Sequence, residues 1–207
     1  MEKSNTREAI IEAALAFFSV NGYEATSISQ LADAVGIRKA SLYSHFANKQ
    51  EILDTVVETT LKGYAQHSIF AYANWEDPEF TKDKAGMSAE DVTKQVQEQI
   101  RYILHDPDIS RGRKMLTIEQ FRNIELARLQ TKQNYTDVLT YFEGMMRFLI
   151  REGILKDANP EIMAAQFSSP ITVWINLCDR DPEREDEVLE LVRKHIIQFF
   201  EIYRNRS

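Results

Sequence analysis

Lys39, Ala40, Ser41, Tyr43, Ser44 and His45 fall within seven consecutive positions and offer a cation, a methyl group, three hydroxyls and an imidazole. Serine hydroxyls can donate or accept at base edges, and an alanine methyl can touch a thymine methyl. Thr26, Ser27 and Lys49 add two hydroxyls and a second cation on either side. Lysine, tyrosine, histidine and threonine suit phosphate oxygens, so Thr26, Ser27, Tyr43, His45 and Lys49 are candidates for orienting contacts to a nucleic-acid backbone. Lys39, Ala40, Ser41 and Ser44 are the candidates for base discrimination. Ala40, Ser41 and Ser44 are small enough to let a helix backbone come close to a groove floor.

Presenting such a face requires two short helices held across a tight turn. Ser27-Ile28-Ser29-Gln30 is a capping box that opens the first of them, with Ile28, Leu31, Ala32 and Val35 turned inward. Gly36 breaks it, and a second short helix is predicted from about Arg38 to Phe46. With Leu42 and Phe46 inside, a rotation of about 100° per residue sends Ala40, Ser41, Tyr43 and Ser44 outward or to the flanks. Upstream, Asn5-Thr6-Arg7-Glu8 predicts a helix start. Ile10, Ile11, Ala14, Leu15 and Phe18 follow as one apolar face that ends at Asn21-Gly22. Downstream, Asn48-Lys49-Gln50-Glu51 opens a long helix through Ile52, Leu53, Val56, Val57 and Leu61, with Lys49 in its first turn, where backbone N–H groups also favour an anion.

The run Gly22-Tyr23-Glu24-Ala25-Thr26-Ser27-Ile28, then Leu31-Ala32, Val35-Gly36-Ile37, Leu42-Tyr43-Ser44-His45-Phe46 and Asn48-Lys49, closely resembles the signature of the TetR (tetracycline-repressor-like) family. The likeness covers roughly the first fifty-five residues. It implies an all-α homodimer with an N-terminal three-helix helix-turn-helix DNA-binding domain (1–50) and a larger helical effector-binding and dimerisation domain (51–207). It further implies a regulator, usually a repressor and not an enzyme, released from a palindromic operator on double-stranded DNA by a small molecule. Matching positions imply phosphate contacts from Thr26, Tyr43, His45 and Lys49, and groove contacts from Lys39, Ala40, Ser41 and Ser44. Ala40 stands where many members carry glycine.

Composition is compatible with this. The 207 residues carry a net charge of −7, but residues 1–50 hold five basic and five acidic groups, so the whole deficit lies beyond them. Scarce breakers, 7 glycines and 5 prolines, favour helices over many short strands. Cys178 is the only cysteine, which excludes an internal disulfide and fits a reducing, cytoplasmic setting. It is read as core or interface, with a redox role as the minor alternative. No Gly-rich phosphate loop, nucleophile signature or metal spacing appears, so neither cofactor nor metal is expected and His67, His105 and His195 are read as non-ligands.

Beyond residue 51 the signals stay helical. Residues 75–86 read as a loop, and helices are predicted over about 88–105, 115–132, 135–152, 160–178 and 184–203. By resemblance, the last two build a dimer interface. The stripe of Val188, Leu189, Val192, Ile196, Phe199 and Phe200 fits that role, but equally fits a monomer core. Tyr64, Tyr102, Met115, Phe121, Tyr141, Phe142, Met145 and Trp174 are the candidate lining of an effector pocket, within a wider aromatic set that includes Phe70, Tyr72 and Trp75. Such side chains form adaptable apolar pockets and also ordinary cores. An apolar or amphipathic ligand is the expectation. A regulator working through a protein partner, and a helical-bundle enzyme or carrier, are the alternatives.

Overall fold

The structure is a computed structural model that describes residues 3–67, 70, 73–84 and 86–205. Tyr72 and the side chain of His67 lie outside the described part. Helix α1 (Lys3–Ala25) begins ahead of the expected start at Asn5, because residues upstream of a capping signal can adopt helical dihedrals as well. It is kinked at Gly22, where φ is 80° and ψ is 167°. Helix α2 (Ile28–Val35) opens with the full capping box, the Ser27 side chain accepting from the Gln30 amide and the Gln30 side chain from the Ser27 amide. Gly36 ends it in the left-handed conformation, φ 72°.

Helix α3 is shorter than expected, Lys39–Leu42, and continues to Phe46 as tight turns. Helix α4 (Lys49–His67) starts where expected, with Asn48 Oδ1 accepting from the Glu51 amide. The Glu51 carboxylate reaches past Asn48 to the Ala47 amide at 2.6 Å.

Further along, a short helix α5 (Pro78–Thr81) interrupts the expected loop, with Asp77 as its cap. Helix α6 (Ala89–His105) follows. Asp106-Pro107, read as a stop, is also a start: the Asp106 side chain accepts from the amides of Asp108 and Ile109 and opens α7 (Pro107–Glu119). The single helix expected over 115–132 is therefore two. Helix α8 (Ile124–Thr131) begins after a break at 120–123, and Asn123 Oδ1 accepts from the amides of Glu125 and Leu126. One π-helical turn (Lys132–Thr136) leads into α9 (Asp137–Arg151). Asn159 caps α10 (Pro160–Arg180), which runs continuously through Pro170, and α11 (Glu185–Tyr203) closes the chain.

Contacts group these helices into two compact units, Met1–Ser68 with Asp106–Gln130 and Ile69–His105 with Thr131–Ser207. This partition by packing differs from the expected boundary at residue 50. In the first unit, Ile10, Phe18, Leu31, Leu42, Phe46 and Ile52 are buried together with Met115 and Leu116 of α7 and Leu126 of α8. Burying each of the larger side chains contributes about 1.5–3 kcal/mol. The N-terminal helices therefore complete their core with a segment some sixty residues downstream.

In the second unit, α6, α9, α10 and α11 enclose Ile100, Phe142, Met146, Phe148 and Phe167. The α11 stripe read as an interface is core: Val188, Leu189, Val192, Ile196, Phe199 and Phe200 are all buried within the chain itself. Cys178 is buried in the same cluster. His105 meets Glu185 at 2.8 Å, and His195 meets the Phe167 carbonyl at 2.9 Å.

Candidate nucleic-acid interface

Helix α3 presents its polar side chains because Leu42 and Phe46 anchor the opposite side. Those two are buried, whereas Lys39, Ala40, Ser41, Tyr43 and Ser44 are exposed and His45 is half-buried. Arg7 of α1 lies over the Phe46 ring at 4.7 Å, a cation–π contact on the side facing α1. The turn from α2 is tightened by the Ile37 amide donating to the Ala32 carbonyl at 2.9 Å. Ser44 Oγ donates to the Ser41 carbonyl at 2.7 Å, which organises the turn after α3 and orients that hydroxyl. What α3 offers is a small polar patch on a helix anchored by Leu42 and Phe46.

Lys49 is held from one side. Its Nζ sits 4.1 Å from the centroid of the Tyr23 ring and donates to the Glu24 carbonyl at 3.4 Å. Tyr23 stands edge-on to Phe18 at 5.6 Å. Burial, followed by the carboxylates of Glu24, Asp54 and Glu119, raises the Tyr23 phenol above its ordinary value, so it stays neutral at physiological pH. A neutral ring leaves the Lys49 charge available to an anion.

Thr26 departs from expectation. It is 1% exposed, its hydroxyl donates to the Gly22 carbonyl at 2.8 Å, and its amide donates to the Tyr23 carbonyl at 3.2 Å. Its side chain shapes the turn from α1 to α2 and is not presented to solvent. Ser27 beside it is exposed and serves as the α2 cap.

One further residue belongs to this neighbourhood. Glu119, at the end of α7, is only 3% exposed, and its Oε1 accepts from the Tyr23 amide at 2.8 Å. The two residues are 96 positions apart, so no spacing in the sequence pointed to the contact.

The candidate effector residues are divided between the two units. Tyr64, Met115 and Phe121 belong to the first unit; Tyr102, Tyr141, Phe142, Met145 and Trp174 belong to the second. Met115 is fully buried in the core beneath the N-terminal helices, and Phe121 is 90% exposed in the break between α7 and α8. In the second unit Tyr141, Phe142, Phe70, Trp75 and Phe148 form a chain of ring contacts, with centroids about 5–6 Å apart.

Residues 10–56 match the family model described as bacterial regulatory proteins, tetR family. The likeness to the TetR family is shown for this N-terminal stretch. Among curated relatives, it is 42% identical over 52 residues to IcaR of Staphylococcus epidermidis, a negative transcriptional regulator of the biofilm operon icaADBC. It is 39% identical over 54 residues to the transcriptional repressor KstR2 of Mycobacterium tuberculosis. These matches take in 25% and 26% of this chain and only 28% and 27% of the two relatives.

The likeness in fold extends further than the likeness in sequence. SmeT, the repressor of the Stenotrophomonas maltophilia multidrug efflux pump SmeDEF, solved with triclosan, superposes with a TM-score of 0.66 at 20% identity. That match covers 98% of this chain and 93% of SmeT. A TetR family regulator from Pseudomonas syringae matches with a TM-score of 0.63 at 18% identity, over 98% of this chain and 99% of the other. Among the described residues, no helix is long and apolar enough to cross a membrane.

Proposed function

We propose that this chain is a DNA-binding transcriptional repressor, not an enzyme, that acts in the cytoplasm as a homodimer on a palindromic operator. The observation that carries the proposal is the exposed Lys39–Ala40–Ser41–Ser44 face of α3, anchored by Leu42 and Phe46 inside a stretch that matches the family. Residues 1–50 read DNA and residues 51–207 serve dimerisation and effector binding. Lys39, Ala40, Ser41 and Ser44 meet base edges, while Ser27, Tyr43, His45 and Lys49 meet phosphates.

Dimerisation uses the outer faces of α10 and α11, since the inner stripe of α11 is consumed by the core. Ile162 and Val173 are 53% and 61% exposed and lie three turns apart on one side of α10, and Ile202 on α11 is 54% exposed. An apolar or amphipathic small molecule binds in the second unit, in the region of Tyr102, Tyr141, Phe142, Met145 and Trp174. The triclosan complex of SmeT supports this ligand class as one that the fold accepts.

Selection of bound duplexes from a random DNA library tests the reading. The expected result is an enriched palindrome whose half-sites are about 34–36 Å apart or a multiple of that. No enrichment by folded protein at low salt would refute it. Two substitutions then separate the roles. Lys49→Ala should weaken binding to every duplex and lower the slope of log affinity against log salt by about one. Ser44→Ala should shift base preference at one position of each half-site and leave the salt slope unchanged. Equal losses on all sequences in both variants would contradict the division.

A further inference from the structure

Gly22 to Ser27 connects α1 to the first helix of the DNA-reading pair, and several of its polar groups are committed to hydrogen bonds. The Gly22 carbonyl accepts from Thr26 Oγ1, the Tyr23 carbonyl accepts from the Thr26 amide, and the Glu24 carbonyl accepts from Lys49. These bonds are internal to the turn or reach forward to α4. The Glu119 carboxylate is the tie that comes from elsewhere in the chain. It takes the Tyr23 amide, which the kink at Gly22 withdraws from the regular α1 hydrogen-bond ladder.

The fit around that carboxylate is close. A Cβ at Gly22 would stand 2.9 Å from Glu119 Oε1 and 3.1 Å from Ile118 Cγ2, so α7 presses against the bare backbone of the kink. A nearly buried carboxylate is costly unless hydrogen-bonded, and a bond from a backbone amide to a charged acceptor is among the stronger kinds. The Tyr23 ring carried by the same residue is the surface over which the Lys49 ammonium rests.

We propose that Glu119 is a positioning residue for DNA binding: by holding the Tyr23 amide it sets the turn into α2 and, through the Tyr23 ring, the place of the Lys49 ammonium. This rests on the DNA-binding reading above. It adds to that reading a determinant of affinity some seventy residues beyond the segment that meets DNA. It also makes α7 the element whose displacement would be felt at Lys49.

The test compares the unaltered chain with Glu119→Asp, Glu119→Ala and Glu119→Gln on the duplex selected by the unaltered chain, across a salt series. Glu119→Asp keeps the charge but is one methylene too short to reach the amide, whereas Glu119→Gln keeps an acceptor oxygen at full length. Glu119→Asp and Glu119→Ala are expected to bind about tenfold more weakly or worse, with the salt slope lowered by about one. Glu119→Gln should bind within about threefold of the unaltered chain. Thermal unfolding followed by circular dichroism establishes that each variant is folded at the assay temperature; should Glu119→Ala not be, Glu119→Asp and Glu119→Gln decide. If Glu119→Asp binds as the unaltered chain does, or if Glu119→Gln loses as much as Glu119→Asp, the proposal is overturned while the DNA-binding reading stands. Failure of the unaltered chain to select any duplex would overturn both.

Discussion

Gly22→Ala should be among the most damaging single-methyl additions in this protein. At φ 80° and ψ 167° the residue occupies a region essentially reserved for glycine, and forcing a side chain there costs about 1–3 kcal/mol. The added Cβ would also sit 2.9 Å from Glu119 Oε1 and 3.1 Å from Ile118 Cγ2. Relieving that crowding moves a nearly buried carboxylate or the packed end of α7, a further cost of about 1–3 kcal/mol. Thermal unfolding should show a melting temperature lowered by about 5–15 °C. DNA affinity should fall even where the protein remains folded, because the turn that carries Tyr23 and precedes Ser27 is displaced. Gly36→Ala provides a comparison: its φ is also positive, but a Cβ there meets nothing within 4 Å, so only the backbone cost applies. A Gly22→Ala variant no less stable than Gly36→Ala would mean that the contact with α7 adds nothing.

Phe46→Ala should remove about 3–5 kcal/mol, the usual range for emptying a fully buried aromatic site. Phe46 is 1% exposed within the core shared by α1, α2, α4 and α7, and the Arg7 guanidinium lies over its ring. It closes the segment that seats α3, so this cavity opens directly beneath the proposed reading face. Denaturant unfolding should register the lost stability, and DNA binding should disappear under conditions where Lys49→Ala still binds weakly. Phe46→Leu, which keeps most of the volume and the apolar character, should cost less than about 1.5 kcal/mol and retain binding. If Phe46→Ala kept full affinity, the seating of α3 would not depend on this core and the account of how the face is presented would be wrong.

Much of the reading face was legible without coordinates, for a physical reason. The capping box of Ser27 and Gln30, the left-handed Gly36 and the inward pair Leu42 and Phe46 are signals each carried by one residue or by two no more than four positions apart. Caps, turn residues and helical periodicity act over that range, so residue types and spacing specify them. The exposure of Lys39, Ala40, Ser41, Tyr43 and Ser44 follows by rotation around the helix once the buried pair is assigned. Helix α3 is nevertheless shorter than its periodicity suggested, because a pattern of apolar positions is satisfied by tight turns as well as by α-helix.

Other readings turned on backbone breaks and on which surfaces meet, and neither follows from residue types along a helix. Thr26 looked like an exposed hydroxyl at a helix start, yet the kink at Gly22 turns it inward and gives its proton to the Gly22 carbonyl. Phe121 looked like a pocket aromatic until the break at 120–123 placed it in solvent. The α11 stripe could be counted from the sequence, but an apolar face looks the same whether α6 and α10 or a second subunit covers it.

Taken by itself, the sequence determined the all-helical class, the left-handed Gly36, the caps of α2 and α4, and which side of α3 carries polar groups. Each of these depends on interactions within a turn or two of the chain. The tertiary structure alone decided that α7 completes the core beneath the reading helices, that Glu119 secures Tyr23 across 96 positions, and that the α11 stripe faces inward. Those outcomes depend on which surfaces meet, and burial rewards any apolar partner without specifying which one from residue types along the chain.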